Sequence, residues 1–303
     1  MRSFHFIIQA RDLLLRGVRA FFQERGFTEA ETPVRIPAPC LEEHIDAIPA
    51  DGQWLRTSPE LHLKRMIAAG CGPVFCLGPC FRRGEYGRLH HPEFTMLEWY
   101  RPGVGYFELL EETRILVKQL ANGLAVLPGV SGAAERFAGE WRLIPVAEAF
   151  HTQAGWNPVT VFDPDRFDLD LVEKVEPSFK NQGAVVLYDY PAACAALARR
   201  KPSDPAVAER WELYLDGIEI ANAYSELVDP VEQRARFEAC ARYRREAGRE
   251  VYPLDELFLA AMDRGLPPCA GVALGLDRLL MVLLGCDSLD AVLPFRMDVS
   301  GFR

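Results

Sequence analysis

Apolar residues recur along this chain at two spacings, and the switches between them mark out its elements. Over residues 6–25, Ile7, Leu14, Leu15, Val18, Phe21 and Phe22 follow a helical period and Gly26 stops it, which predicts an amphipathic helix. The next stretch, FTEAETPVRIPAPC, carries Pro33, Pro37 and Pro39, which exclude a regular helix and confine any strand to a sheet edge. Such a segment also suits lying along another surface, including a second subunit. Ser58, Pro59 and Glu60 read as N-cap, first helical residue and first-turn acid of a helix reaching Ala69, closed by Gly70 and Gly72. An apolar run, Val74–Phe81, then passes through a loop dense in Arg, His and Gly and returns at 94–100 as an alternating segment. Phe94, Met96, Glu98 and Tyr100 share one face there and Thr95, Leu97 and Trp99 the other, which predicts a hairpin with a long polar loop.

Helical spacing returns over 105–125 through Leu109, Leu110, Leu116, Val117 and Leu120. From 128 to 183 the pattern weakens into short pieces, as an insertion beside the core would, and 184–188 reads as a short buried strand. In RWELYLDGIEIANAYSEL, Asp216-Gly217 predicts a two-residue hairpin, with Leu215 facing Ile218, Tyr214 facing Glu219 and Leu213 facing Ile220. Residues 270–274 read as a buried strand feeding a helix that turns Leu276, Leu279, Leu280 and Leu283 inward.

Composition narrows the classes of function. The 303 residues are 49% hydrophobic, enough for one large domain or two small ones. A net charge of -9 repels phosphate backbones, so a protein partner or a small substrate fits better than nucleic acid, and a cationic substrate fits best. Eight cysteines are scattered, and the spacing of Cys71, Cys76 and Cys80 does not match a paired zinc site. Buried free thiols in a reducing cytoplasm are the expectation. The first residues lack a signal-peptide pattern, and Asp277 and Arg278 interrupt the longest apolar run near the C-terminus, so a soluble cytoplasmic protein with no membrane span is expected.

Three stretches carry candidate chemistry. The hairpin loop holds Arg82, Arg83, Arg88, His90 and His91, donors able to grip a polyphosphate, and Phe94 offers a ring for a base; a solvated basic loop is the plainer reading. Glu98 is a carboxylate between aromatics on a half-buried face. In the Asp216-Gly217 hairpin, Glu212 is a diagonal neighbour of Glu219, about 7–8 Å away, a separation at which two carboxylates hold a divalent cation or simply share a solvated face. Asn222 and Glu226 add an amide and a third acid, a set that suits a cationic amine as well as a metal. Arg278 lies in the first turn of the last helix, where the dipole disfavours a cation unless an anion or an acid is near.

Together these pieces resemble the catalytic domain of class II aminoacyl-tRNA synthetases, most closely the lysyl branch. Five blocks occur in order: ETPV, SPELHLKRM, GPCFRRGEYGRLHHPEFTMLEWY, GIEIANAYSELVDP and GVALGLDRLL. The resemblance implies an α+β fold, a mostly antiparallel sheet flanked by helices across 1–303, and a homodimer whose interface uses the segment around Pro33. It puts Arg82 on the α-phosphate of ATP, Phe94 on adenine and Arg278 on the γ-phosphate, with Arg83, Glu85, His90, Glu219, Ile220 and Gly275 also at the nucleotide. Glu212 and Glu219 would bind Mg²⁺, and Ser58, Glu60, Tyr100, Asn222, Glu226 and Ala273 the amino acid. Arg83-Gly84 departs from the polar residue and Glu usual there, leaving Glu85 to supply the carboxylate one position later. The block ETPV begins within about thirty residues of Met1, too few for the anticodon-reading OB domain of lysyl enzymes, so tRNA is an unexpected partner. That shortness, the LEWYRP ending and Ala273 in place of glycine resemble the truncated paralogues that join (R)-β-lysine to elongation factor P. The alternatives are a minimal synthetase charging an RNA acceptor and a noncatalytic amino-acid sensor; Arg82, Glu212, Glu219 and Arg278 together speak against the sensor.

Overall fold

The computed structural model describes residues 2–130, 132–137, 139–295, 297–298 and 301–302. Its centre is a nine-stranded sheet made of β1 (Thr28–Glu29), β2 (Val74–Phe81), β3 (Glu93–Pro102), β4 (Arg142–Pro145), β5 (Ala184–Pro191), β6 (Arg200–Lys201), β7 (Asp204–Leu215), β8 (Ile218–Ser225) and β9 (Cys269–Gly275). The spatial order is β1-β2-β3-β9-β8-β7-β5-β4, with β6 paired to β7. Only the outermost pairs, β1 with β2 and β4 with β5, run parallel. The sheet is therefore mostly antiparallel, and the proline-containing stretch supplies its edge strand β1.

The main helices are α1 (Phe4–Glu24), α2 (Glu60–Ala68), α3 (Tyr106–Leu124), α4 (Pro230–Glu246), α5 (Glu256–Asp263) and α6 (Leu276–Leu283). Alternation sorts the strands' side chains between two layers. Leu97 and Trp99 point, with Phe75, Leu213 and Val272, into a core closed by α1, α3 and α6. Phe22 of α1 stacks on Phe75 at 4.7 Å, and each fully buried side chain of this size contributes about 1.5–3 kcal/mol. The other face meets α2, α4 and α5 through Val74, Cys76 and Tyr100, and its remainder is left open as a cavity.

Three local expectations change. Helix α2 begins at Glu60 with Pro59 at its N-cap, one residue later than Ser58 suggested. Ser58 instead accepts the Glu60 N–H at 2.9 Å and donates to Glu98, so its hydroxyl faces the cavity rather than serving the helix alone. In the β7–β8 hairpin, Tyr214 opposes Glu219 as expected, but Leu213 opposes Ala221 and Ile220 has no partner. That bulge is invisible to an argument from turn type, which fixes only the first pairs. All eight cysteines are free, but against the expectation of burial Cys71 is exposed, ahead of β2, and Cys194 and Cys286 are only half-buried.

Residues 128–183 contribute more than a surface addition. They supply edge strand β4, and Ile144, Val146, Phe150, Phe167 and Phe179 form a third apolar cluster with Val185 and Tyr214 of the sheet.

Candidate active site

The open face of the sheet is organised by cross-strand rows. Glu98 of β3 opposes Ala273 of β9, which opposes Asn222 of β8, which opposes Glu212 of β7. One row further along stand Tyr100, Gly271, Tyr224 and Arg210. Direct partners share a face, so four strands present these side chains to one cavity of about 390 Å³. In a regular strand Glu219 and Asn222 would point to opposite sides. The bulge at Ile220 removes that conflict, and both line the cavity with Glu212.

One end of the cavity is cationic. Arg82 lies with its guanidinium carbon 5.2 Å from the Phe94 ring centre and pairs with Glu85 at 3.7 Å. Its buried Nε has no hydrogen-bond partner. Arg278, in the first turn of α6, donates to Leu89 O at 3.0 Å and to Glu219 Oε2 at 3.2 Å, and meets His90 Nε2 at 2.7 Å. Its acid is thus Glu219. Asp277, at the cavity's edge, pairs instead with Arg11 at 2.5 Å and accepts the Thr95 N–H at 2.7 Å.

Beside the arginines, acids accumulate. Glu212 accepts from Tyr190 at 2.5 Å, Tyr214 at 2.6 Å and Arg210 at 2.6 Å. Burial and then the Glu212 charge raise the Glu219 carboxyl. Glu176, from the 128–183 stretch, is pushed up to about 7 by burial, then by Glu212 and Glu219. Elevation of Glu219 and Glu176 by neighbouring carboxylates is relieved by a cation. Among the described residues no three His, Cys, Asp or Glu side chains converge as a preformed metal site. Glu212 and Glu219 both line the cavity beside Arg278, a placement compatible with a divalent cation that takes its remaining ligands from phosphate and water.

The other end is an acid cluster around an internal ammonium. Lys64 of α2 is fully buried, 2.5 Å from both Glu60 and Glu226. Burial opposes its charge, but Glu226 and Glu60 outweigh that and hold its pKa above the usual lysine range. Glu98 accepts from Ser58 at 2.8 Å and from Tyr100 at 2.8 Å. Burial, then Glu60, pushes the Glu98 carboxyl up to about 8, and burial does the same for Glu226. Three carboxylates face one lysine; Glu226 Oε2 meets only the Lys64 ammonium, and Glu226 Oε1 and Asn222 Oδ1 have no partner. Asn222 already donates its amide to Tyr224 at 2.9 Å, which turns Oδ1 into the cavity as an acceptor. Unmet acceptors buried among acids are matched by a ligand carrying ammonium groups.

Of the residues singled out from the sequence, Arg82, Glu85, His90, Phe94, Glu219, Ile220, Gly275 and Arg278 line the cavity. So do Ser58, Glu60, Tyr100, Asn222, Glu226, Ala273 and Glu212. Arg83 does not; its side chain is 51% exposed and reaches toward Glu250 at 3.9 Å. The sequence reading missed Arg210, Tyr224, Lys64 and Glu42. Arg210 was findable, two residues before Glu212 on an alternating strand, and Lys64 was findable four residues after Glu60 on a helix.

Glu42 belongs to the loop after Pro39, which forms a wall of the cavity with Ile45. A fully buried arginine of α4 pins that loop: Arg244 donates to Glu42 O at 2.7 Å, Ile45 O at 3.0 Å and Asp46 Oδ1 at 2.6 Å. Tyr252 adds a hydroxyl that accepts the Ala47 N–H at 2.8 Å.

Comparison with known proteins agrees with this geometry. Residues 2–299 match the family model for tRNA synthetases class II (D, K and N). The chain is 38% identical over 313 residues to the elongation factor P (R)-β-lysine ligase of Vibrio cholerae serotype O1, covering 95% of this chain and 94% of that protein. It is 39% identical over 309 residues to the ligase of the same name from Salmonella gallinarum, again 95% and 94%. The ligase of Vibrio parahaemolyticus is 36% identical over 318 residues, 97% of this chain and 96% of the relative.

Proposed function

The chain belongs to the tRNA synthetases class II (D, K and N), and on that premise we propose that it is a ligase that activates (R)-β-lysine, or lysine, with ATP and transfers it to a lysine side chain of elongation factor P. One observation carries this reading: the unpartnered acceptors Glu226 Oε1 and Asn222 Oδ1 lie in a buried acid cluster at one end of a cavity whose other end holds Arg82 and Arg278. A diamino acid fits the first end and a nucleotide triphosphate the second. The two are joined along β3, where Phe94 to Tyr100 spans about 20 Å.

The chemistry follows from these residues. Phe94 stacks on adenine, while Arg278 and His90 hold the γ-phosphate. Arg82, through its free Nε, holds the α-phosphate against which the amino-acid carboxylate attacks. As the carboxylate oxygen bonds to phosphorus, the bond to the β-phosphate breaks and pyrophosphate leaves, with Arg82 stabilising the charge that develops. Mg²⁺, when bound by Glu212 and Glu219, supplies neutralisation of the phosphates. Glu60, Glu98 and Glu226 orient the ammonium groups, and Tyr100 closes the pocket over Gly271. Ala273 lies between Glu98 and Asn222, where its methyl group limits how deep the amino acid sits.

Free thiols at all eight cysteines agree with a cytoplasmic protein, and no helix among the described residues is long and apolar enough to cross a membrane. The homodimer of the family is part of the same reading, with the exposed Val34 near Pro33 available to an interface.

The test is transfer of labelled (R)-β-lysine and of labelled lysine, with ATP and Mg²⁺, to purified elongation factor P and in parallel to total tRNA. Label on the factor alone is the expected result. Label on tRNA alone would replace the acceptor, and an absence of ATP–pyrophosphate exchange with either amino acid would remove the reading.

A further inference from the structure

We propose that Glu42 is the general base of the transfer step, accepting a proton from the acceptor lysine as that amine enters the cavity. The inference rests on the ligase reading above and names a group for which that reading has none. A lysine amine has a pKa of about 10.4, so at pH 7 roughly one in 2,500 is free to attack. The acceptor must lose a proton beside the adenylate.

Every other carboxylate that lines the cavity is committed. Glu60 and Glu226 pair with Lys64, Glu98 accepts from Ser58 and Tyr100, and Glu212 accepts from two tyrosines and Arg210. Glu219 pairs with Arg278, Glu85 with Arg82, and Asp277 with Arg11. Glu42 makes no side-chain hydrogen bond or ion pair among the described residues, although it lines the same cavity. Its loop is not loose, because Arg244 holds the Glu42 carbonyl itself at 2.7 Å.

Its neighbours are the groups assigned to the two ends of the reacting bond. Arg82 and Glu85 of the hairpin loop, Glu60 of α2 and Arg210 of β7 are the charges that face it. The Tyr224 phenol of β8, Cys40 of its own loop and Cys240 of α4 are the remaining titratable neighbours. Glu42 thus lines the same cavity as, and is acted on by, both the arginine assigned to the α-phosphate and an acid assigned to a substrate ammonium, the two groups between which the activated carbonyl would lie. It is half-buried, on a wall and not on the sheet floor, so an incoming side chain can reach it. Burial pushes its carboxyl up to about 7, against the pull of Arg82, which leaves it a usable base at neutral pH.

The step balances as follows. The acceptor ammonium gives one proton to the Glu42 carboxylate. The freed lone pair forms the C–N bond, the carbonyl π pair moves to oxygen and returns, and the C–O bond to AMP breaks with its electrons on the phosphate. The second nitrogen proton passes to solvent, leaving an amide and AMP.

Glu42→Gln keeps the size of the side chain and removes the base. Enzyme carrying preformed adenylate is offered either elongation factor P or hydroxylamine, which is already unprotonated at neutral pH and needs no base. We expect single-turnover transfer to the factor to fall about 100-fold in the variant while hydroxamate formation changes by less than about twofold. The wild-type transfer rate should rise with pH through neutrality, and the variant should lose that rise. Transfer at the wild-type rate, or equal slowing with both nucleophiles, overturns the proposal. If wild-type enzyme forms hydroxamate but leaves the factor unlabelled, the acceptor reading fails; the same comparison with n-butylamine as nucleophile then decides the role of Glu42.

Discussion

Gly271 is the position where the pocket has least room. A Cβ built there would lie 2.2 Å from the Tyr100 ring and 2.7 Å from Glu226 Oε1, so Tyr100 can lie across β9 only because that residue has no side chain. Gly271→Ala should displace both Tyr100 and Glu226, raising the KM for the amino acid at least tenfold while leaving the KM for ATP within about twofold, by roughly 1.4 kcal/mol or more of lost binding. Steady-state pyrophosphate exchange measures the split, and equal effects on the two KM values would show that the glycine serves the fold alone. The neighbouring residues show what one sequence can disclose. Glu98 stood out because a carboxylate among aromatics on an alternating strand is conspicuous, whereas nothing next to Lys64 in the sequence marks it out. Its meaning depends on Glu226, which lies far away in sequence.

The wall loop and α4 form a unit held together largely by one guanidinium. Arg244 replaces water for the Glu42 and Ile45 carbonyls, donates to Glu250 O at 2.7 Å and lies 4.8 Å from the Tyr252 ring centre. Arg244→Met keeps most of the volume but leaves buried carbonyls and Asp46 without their donor, a loss of about 3 kcal/mol. For a chain of this size that lowers the Tm by about 5 °C, measurable by calorimetry. The β2–β3 hairpin and the two faces of β3 were readable from alternation, because burying one face forces that pattern. The bulge at Ile220 was not. A two-residue turn sets register only near the turn, and the pairing beyond it is decided by which side chains the sheet must turn toward the cavity. The role of Glu176 was equally hidden, since the weak pattern of residues 128–183 gives no sign that its carboxyl comes within reach of Glu212.

Taken over the entire fold, the concentration of acids in one cavity makes stability depend on pH. Burial raises Glu98 and Glu226 to about 8, and Glu42 and Glu176 to about 7, all above the value of about 4.3 they take when unfolded. The native state therefore holds protons that the unfolded chain releases. Stability from this source is full below about pH 4.3 and is lost as pH rises toward 8. Without ligand the Tm should fall between pH 5 and 8, and saturating diamino acid should flatten the fall, because its ammonium groups stabilise the ionised carboxylates. A Tm that rises over this interval would contradict the charge assignment. The arrangement also bears on how such a protein changes over generations. The floor that handles the nucleotide is built from paired strands, in which each side chain is tied to its neighbours by register, but the wall that meets the acceptor hangs from Arg244. A lineage could remodel that wall and adopt a different recipient for its activated amino acid while the older chemistry of activation stayed untouched.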